Sequence, residues 1–138
     1  CDEKTEDVTQ WVMKHTAGLG ADAFFECVGK NETFEQAVEL TGVEGKICLV
    51  GNPYSDMALK QSTYWKILRN QLQVTGTWNS SFQHEDEDDW NYVMNKLKQR
   101  RIQPAKLITH RYSMENLKQG FEIMREKTQN YIKIMLTL

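Results

Sequence analysis

Three stretches of this 138-residue chain have the make-up of ligand-binding loops. Gly18-Leu19-Gly20-Ala21-Asp22-Ala23 reads as G-x-G-x-x-A, the pattern of a loop that cradles a pyrophosphate. That chemistry requires the loop to follow a strand and open a helix, so that amides at the helix N-terminus meet the phosphates. The neighbouring residues put the elements in the opposite order. Val8, Trp11, Val12 and His15 recur at helical spacing before the glycines, and Ala23 to Val28 is a short apolar run after them. The stretch therefore reads as a helix stop and a turn. No Lys follows a glycine pair in the way a triphosphate-binding loop requires.

Gly29 and Gly51 stand differently. Each comes at the end of an apolar run, Ala23 to Val28 and Lys46 to Val50, where the carboxyl ends of strands in an open α/β sheet face their ligands. A glycine there permits an unusual turn and lets a ligand approach the backbone. Either glycine alone is equally an ordinary strand-to-helix turn. The pair, with Gly76 inside a third run from Leu72 to Trp78, outlines a binding edge. Glu26 breaks the first run just before Cys27-Val28-Gly29, and its expected role is to cap the turn or support the loop rather than to catalyse.

The remaining reactive groups are scattered. His15, His84 and His110 have no partner at metal-ligand spacing. The run His84 to Asp89 could hold a divalent cation weakly, but acids suit the first turn of a helix, and a helix start is the preferred reading. Cys1, Cys27 and Cys48 are an odd set without C-x-x-C spacing, which offers no zinc-ribbon pattern and points to a reducing, cytoplasmic setting. The sequons at Asn31 and Asn79 would matter only in a secreted chain. Trp11, Trp65 and Trp90 read as packing residues.

These residues need a frame of alternating helices and strands. A helix over the Val8–His15 face is stopped by Gly18, and a strand covered on both faces follows over residues 23–28. Thr33-Phe34-Glu35-Gln36 fits a capping box for a helix carrying Phe34, Ala37, Val38 and Thr41. Gly42 and Gly45 bracket a turn before the strand over residues 46–50. A short helix over residues 63–69 and a strand over residues 72–78 come next. The acids from Glu85 open a helix whose face is Trp90, Val93, Met94 and Leu97, ending no later than Pro104. Lys96 to Arg101 supplies cations to its last turn. Lys106 to Ile108 is extended, and Ser113 caps a helix carrying Leu117, Phe121 and Met124. In the tail Ile132, Ile134, Leu136 and Leu138 alternate onto one face of a half-buried strand. The order implies βαβ units, a parallel sheet and an α/β class, with the chain entering on a helix that has no strand before it.

The bulk properties agree. The chain is 40% hydrophobic and 26% charged, as a globular domain is. No apolar run approaches the ~20 residues of a membrane span. A net charge of −2 argues against a nucleic-acid surface.

In this setting the pieces GADAFFECVG, TFEQAVELTGVEGKICLVGNP, KILRNQLQVTGTWNSSF, LITHRYSMENLKQGFEIM and YIKIMLTL resemble, in order and spacing, the medium-chain zinc-dependent alcohol dehydrogenase family. Within it, they resemble the sugar-alcohol branch, that of the sorbitol and galactitol-1-phosphate 5-dehydrogenases. The resemblance covers only the carboxyl part of such an enzyme. It implies an incomplete Rossmann-type, doubly wound parallel sheet with a C-terminal helix and strand, residues 1–138 being the later part of a dinucleotide-binding domain. The catalytic domain with its zinc ligands, the Gly-rich loop and the acid that reads the adenosine ribose have no counterpart in the sequence. The resemblance further implies an NAD cofactor, NADP being equally compatible, and zinc-assisted hydride transfer from a polyol or polyol phosphate, with no zinc ligand and no catalytic residue in these 138 residues.

Site roles carry over position by position. Cys27, Val28 and Gly29 would lie along the cofactor, and Val50, Gly51 and Asn52 would flank the nicotinamide. Thr77, Trp78 and Asn79 would add backbone contacts to its carboxamide, and Lys133 would stand near the cofactor phosphates. The segment Leu72–Thr77 resembles an edge strand at a twofold subunit contact, with Met57 to Lys60 nearby, so a homo-oligomer is expected. The 138-residue chain by itself is expected to be inactive. Two other readings stay open: a zinc-free, quinone-reductase-like branch, and a non-catalytic α/β interaction module.

Overall fold

A computed structural model describes residues 5–80 and 88–137. The chain divides into two compact units, Cys1–Asn79 and Ser80–Leu138.

The first unit runs α1 (Val8–His15), β1 (Ala21–Glu26), α2 (Asn31–Leu40), β2 (Thr41–Leu49), α3 (Gln61–Arg69) and β3 (Gln73–Gly76). Its three strands form one parallel sheet in the order β1-β2-β3. The α/β alternation expected from the sequence is therefore present. Phe24 pairs with Ile47, and Ile47 with Val74. The side of the sheet that carries Ile47 meets the apolar faces of the helices. Phe34, Ala37, Val38, Ile47 and Leu72 form the core cluster, with Phe24, Leu49 and Ile67 packed against it. Ile47 is fully buried at the centre, and a side chain of that size contributes about 1.5–3 kcal/mol when buried. Lys60 reaches Glu35 and Lys66 reaches Glu39, at 2.6 and 3.2 Å, tying the start and body of α3 to α2.

Several local expectations are corrected. The first strand is not covered on both faces: Phe25 alternates away from the core and is 65% exposed, while the polar Glu26 is buried. The Gly42–Gly45 stretch is not a free turn but lies inside β2. Ala21 pairs with Thr41 and Ala23 with Lys46, so β2 bulges by several residues against one residue of β1. Gly20 is held against that bulge: a Cβ there would come within 2.8 Å of Gly42 N and of Leu40 O, closer than the backbone allows. The helix α1 ends in a double bond pattern, Thr16 N to Val12 O and Gly18 N to Met13 O. Its left-handed position falls on Ala17, at φ 52°, one residue before the expected stop. Finally, α2 starts at Asn31, so Thr33 sits in the first turn rather than at the cap. Its Oγ1 accepts from Lys30 N at 3.2 Å.

The second unit contains α4 (Asp89–Lys98), a 3-10 turn (Pro104–Leu107), β4 (Ile108–Tyr112), a 3-10 turn (Met114–Asn116) running into α5 (Leu117–Glu126), and β5 (Lys133–Leu136). The strands β4 and β5 pair in parallel. The acid run does open a helix at its described end: Asp88 caps α4 by accepting from Asn91 N at 2.8 Å, and Lys96 and Lys98 occupy the last turn. His84 to Glu87 lie outside the described residues, as do Cys1 and Leu138. The extended piece begins at Ile108, because Pro104 starts a 3-10 turn that takes up Lys106 and Leu107. The inner face of α5 is Gly120 and Ile123, while Phe121 and Met124 are 60% and 46% exposed. A Cβ on Gly120 would stand tightly, 3.2 Å from Ile134 Cγ2 and 3.3 Å from Tyr112 Cδ2, so the glycine lets α5 lie close against both. Ile134 in β5 is half-buried, but Ile132, just before the strand, is 67% exposed and Leu136 39%, so the expected apolar face is only partly covered.

Candidate functional site

The parallel register brings the three strand ends of the first unit level. Glu26 pairs with Leu49, and Leu49 with Gly76. The loops Cys27–Gly29, Val50–Asn52 and Thr77–Asn79 consequently leave from one carboxyl edge of the sheet, the edge at which open α/β sheets receive ligands. Nine of the ten residues singled out from the sequence are thus on three adjacent strand ends. The tenth, Lys133, is an exposed residue of the second unit at the start of β5.

Glu26 organises this edge. Its carboxylate accepts from Val28 N at 2.9 Å, from Gly29 N at 2.9 and 3.1 Å, and from the Thr33 hydroxyl at 2.7 Å. Its backbone carbonyl accepts from Val50 N at 2.8 Å and Gly51 N at 2.9 Å. Burial opposes ionisation of this carboxyl, but the hydrogen bonds from Gly29, Thr33 and Val28 outweigh it and hold the group below the ordinary carboxylate range. The turn-capping role expected for Glu26 is what the geometry gives. Thr33 is the partner that sequence reading missed. Seven positions separate the two residues, a spacing that no local motif flags.

The glycines have a reason other than ligand approach. Gly29 takes φ 83°, and a Cβ there would collide with the carbonyl oxygen of Asn52. A Cβ on Gly51 would collide with the backbone of Val28 and Gly29. The two loops are locked main chain against main chain. Gly76 is different, with open space where its Cβ would be. The longer loop beyond Asn52 is tethered by Tyr54 N to Gly29 O at 2.9 Å and by Ala58 N to Asn31 Oδ1 at 3.0 Å. Thr77 N donates to Leu49 O at 3.0 Å, and Asn79 turns the chain in a left-handed conformation, φ 51°. Val28, Val50 and Trp78 are 51%, 46% and 76% exposed. Locked loops carrying exposed apolar side chains suit a flat, partly apolar ring such as nicotinamide.

Zinc finds no such fit. Among the described residues no three His, Cys, Asp or Glu side chains gather to hold a metal. His15 Nδ1 donates to the Trp11 carbonyl at 2.7 Å, its ring stacked on that indole, and His110 is held between Thr109 and Gln129. Among the described residues no helix is long and apolar enough to cross a membrane. Two apolar grooves belong to the second unit, one along α5 at Phe121 and Met124 and one on α4 beside Ser80 and Trp90.

Comparison with known proteins fits this architecture. The family model described as "Zinc-binding dehydrogenase" matches residues 1–99. The galactitol 1-phosphate 5-dehydrogenase of Escherichia coli (strain K12) is 34% identical over 95 residues, covering 69% of this chain and 28% of that protein. The L-idonate 5-dehydrogenase of Vitis vinifera is 28% identical over 137 residues, covering 96% of this chain and 35% of its own length. Among solved structures, galactitol-1-phosphate dehydrogenase from Escherichia coli superposes with a TM-score of 0.73 at 27% identity, covering 96% of this chain and 38% of that one. The chain thus spans about a third of the length of the relatives it matches.

Proposed function

This chain belongs to the zinc-binding dehydrogenase family, and we propose that it forms the nicotinamide-facing part of the dinucleotide-binding domain in a polyol or polyol-phosphate dehydrogenase. The observation that carries this reading is the level edge of three strand ends, Glu26, Leu49 and Gly76, whose loops are locked by Gly29 and Gly51. NAD or NADP supplies the hydride acceptor chemistry when bound. The residues of this chain bind and orient it: Cys27, Val28 and Gly29 along the ribose, Val50, Gly51 and Asn52 beside the ring, Thr77, Trp78 and Asn79 at the carboxamide, and Lys133 near the phosphates. The substrate class rests on the similarity to enzymes whose names specify galactitol 1-phosphate and L-idonate. The described residues offer zinc no donor set, so in this reading they take no part in activating the alcohol, and the 138-residue chain alone does not turn substrate over.

The same reading makes the protein a cytoplasmic homo-oligomer that pairs through β3. That strand is an outer one of its sheet, and all four of its residues are exposed, which leaves backbone groups free for a second copy.

The test is a titration of the isotopically labelled chain with NADH and with NADPH, followed by amide chemical shifts. Binding is expected to be weak, with the largest shifts at residues 27–29, 50–52 and 77–79. Saturable binding that leaves all three loops unshifted, or no binding to either nucleotide at millimolar concentration, would overturn the assignment. Zinc-dependent oxidation of galactitol 1-phosphate by this chain would contradict its proposed inactivity.

A further inference from the structure

The two strands of the second unit do not pair residue for residue. Ile108 pairs with Lys133 but His110 with Ile134, so β4 carries one extra residue, Thr109, against its partner. The Thr109 side chain takes up backbone groups at the start of β5. Its Oγ1 accepts from Ile132 N at 3.2 Å and lies 3.1 Å from the Lys133 carbonyl oxygen, within donating distance. The same hydroxyl stands 2.9 Å from His110 Nδ1, and the other ring nitrogen, Nε2, faces Gln129 Oε1 at 3.1 Å. His110 thus spans from the bulge on β4 to the segment that joins α5 to β5.

Counting hydrogens shows what this cluster can do. An amide oxygen only accepts, so Nε2 carries a hydrogen toward Gln129 whether the ring is neutral or charged. A neutral ring then has a bare Nδ1. It takes the single Thr109 hydroxyl hydrogen and leaves the Lys133 carbonyl without it. A charged ring donates from Nδ1 as well. The hydroxyl now accepts from Nδ1 and from Ile132 N and donates to the Lys133 carbonyl, so every bond in the cluster is made at once.

We propose that His110 and Thr109 form a proton-operated clasp between β4 and the start of β5, closed when the His110 ring is charged and slackened when it is neutral. Imidazoles exchange that proton between about pH 5 and 8, so the clasp tightens as the pH falls through this range. The surrounding elements carry other charges. Tyr112 on β4 stacks on the ring with centroids 6.3 Å apart, and Arg111 lies between them in sequence. Lys133 opens β5, Lys106 precedes β4, and Lys127 and Tyr131 flank Gln129 in sequence. On α5, Lys118 is paired with Glu122 and Arg125 with Glu126. Among the described residues only Thr109 and Gln129 bond to the ring. The inference goes beyond the cofactor reading and does not depend on it.

The test is nuclear magnetic resonance of the isotopically labelled 138-residue chain from pH 5 to 8. In the wild type, the ring nitrogen shifts should place the hydrogen of neutral His110 on Nε2. The Lys133 carbonyl carbon should shift with the same midpoint as the ring. Amide exchange at Ile132, taken relative to the unstructured rate at each pH, should be about two- to fivefold slower when the ring is charged. In Thr109→Val the ring should still titrate while Lys133 and Ile132 no longer respond, and Thr109→Ser should bring the response back. His110→Asn should leave both signals flat. A neutral ring with its hydrogen on Nδ1, a Lys133 carbonyl indifferent to the ring, or a response that survives in Thr109→Val would each overturn the proposal. Should Thr109→Val fail to fold, the ring nitrogens and His110→Asn decide, and a response persisting without the imidazole would be equally fatal.

Discussion

Gly29 and Gly51 hold the two carboxyl-edge loops of the sheet together by direct contact of their main chains. Neither position has space for a side chain. A Cβ at Gly29 would enter the Asn52 carbonyl, and one at Gly51 would enter the Val28–Gly29 backbone. Gly29→Ala and Gly51→Ala should each cost roughly 2–4 kcal/mol through overpacking, with backbone strain added at Gly29. Gly76→Ala meets open space and should change stability by no more than about 0.5 kcal/mol. Urea unfolding of the three variants, followed by circular dichroism, checks the contrast. Equal effects at Gly51 and Gly76 would show that the loops are not locked as described.

The Glu26 carboxylate should make the first unit acid-sensitive. Its hydrogen bonds lower the folded pKa from the ordinary 4.5. The stabilisation is then complete above the ordinary carboxylate range and is lost as the pH falls through that value toward the folded one. Melting temperatures measured from pH 7 down to about pH 3 should fall more steeply for the wild type than for Glu26→Gln. Parallel profiles would show that this carboxylate does not set the acid limb.

The sequence carried the element order and the binding edge because both follow from strong periodic signals. The apolar runs ending at Val28 and Val50, each meeting a glycine, place two strand ends on one edge of a parallel sheet, and the structure has them level. Where reading failed, the missing information was non-local or lay in small residues. Thr33 looked like the cap residue because its neighbours fit one, whereas it stands in the first turn, accepting from Lys30 N and donating to Glu26, seven residues away and on another element. The Gly42–Gly45 stretch looked like a turn because its place in the sheet depends on Gly20 and Ala21 across the ladder. Phe25 looked buried because apolar composition cannot say which face of a strand has a helix over it.

Lys127 closes α5 in the left-handed conformation, φ 51°, with its amide bonded to the Ile123 carbonyl. A residue with a Cβ pays for that conformation, whereas glycine does not. Lys127→Gly should therefore stabilise the second unit by about 0.5–1 kcal/mol. Thermal unfolding of the variant and of the matched Lys127→Ala tests this. A glycine variant no more stable than the alanine variant would show that the left-handed cap is not a significant cost.

The helix α5 offers the sharpest test of side-chain placement. Its hydrophobic spacing nominates Leu117, Phe121 and Met124, yet the buried positions are Gly120 and Ile123. Gly120 is the physical reason. Without a side chain there, the helix approaches Tyr112 on β4 and Ile134 on β5, and the row containing Ile123 turns inward with it. Glycine adds nothing to a count of apolar residues, so the pattern points to the neighbouring row. Ile123, 5% exposed, should lose about 2–4 kcal/mol on truncation to Ala through the cavity it leaves. Phe121, 60% exposed, is the larger side chain, yet its truncation should cost about 0.5 kcal/mol or less. Denaturant unfolding of Ile123→Ala and Phe121→Ala side by side measures the difference directly. A larger loss at Phe121 would mean that α5 is rotated from the orientation described, with its bulky row buried against another surface.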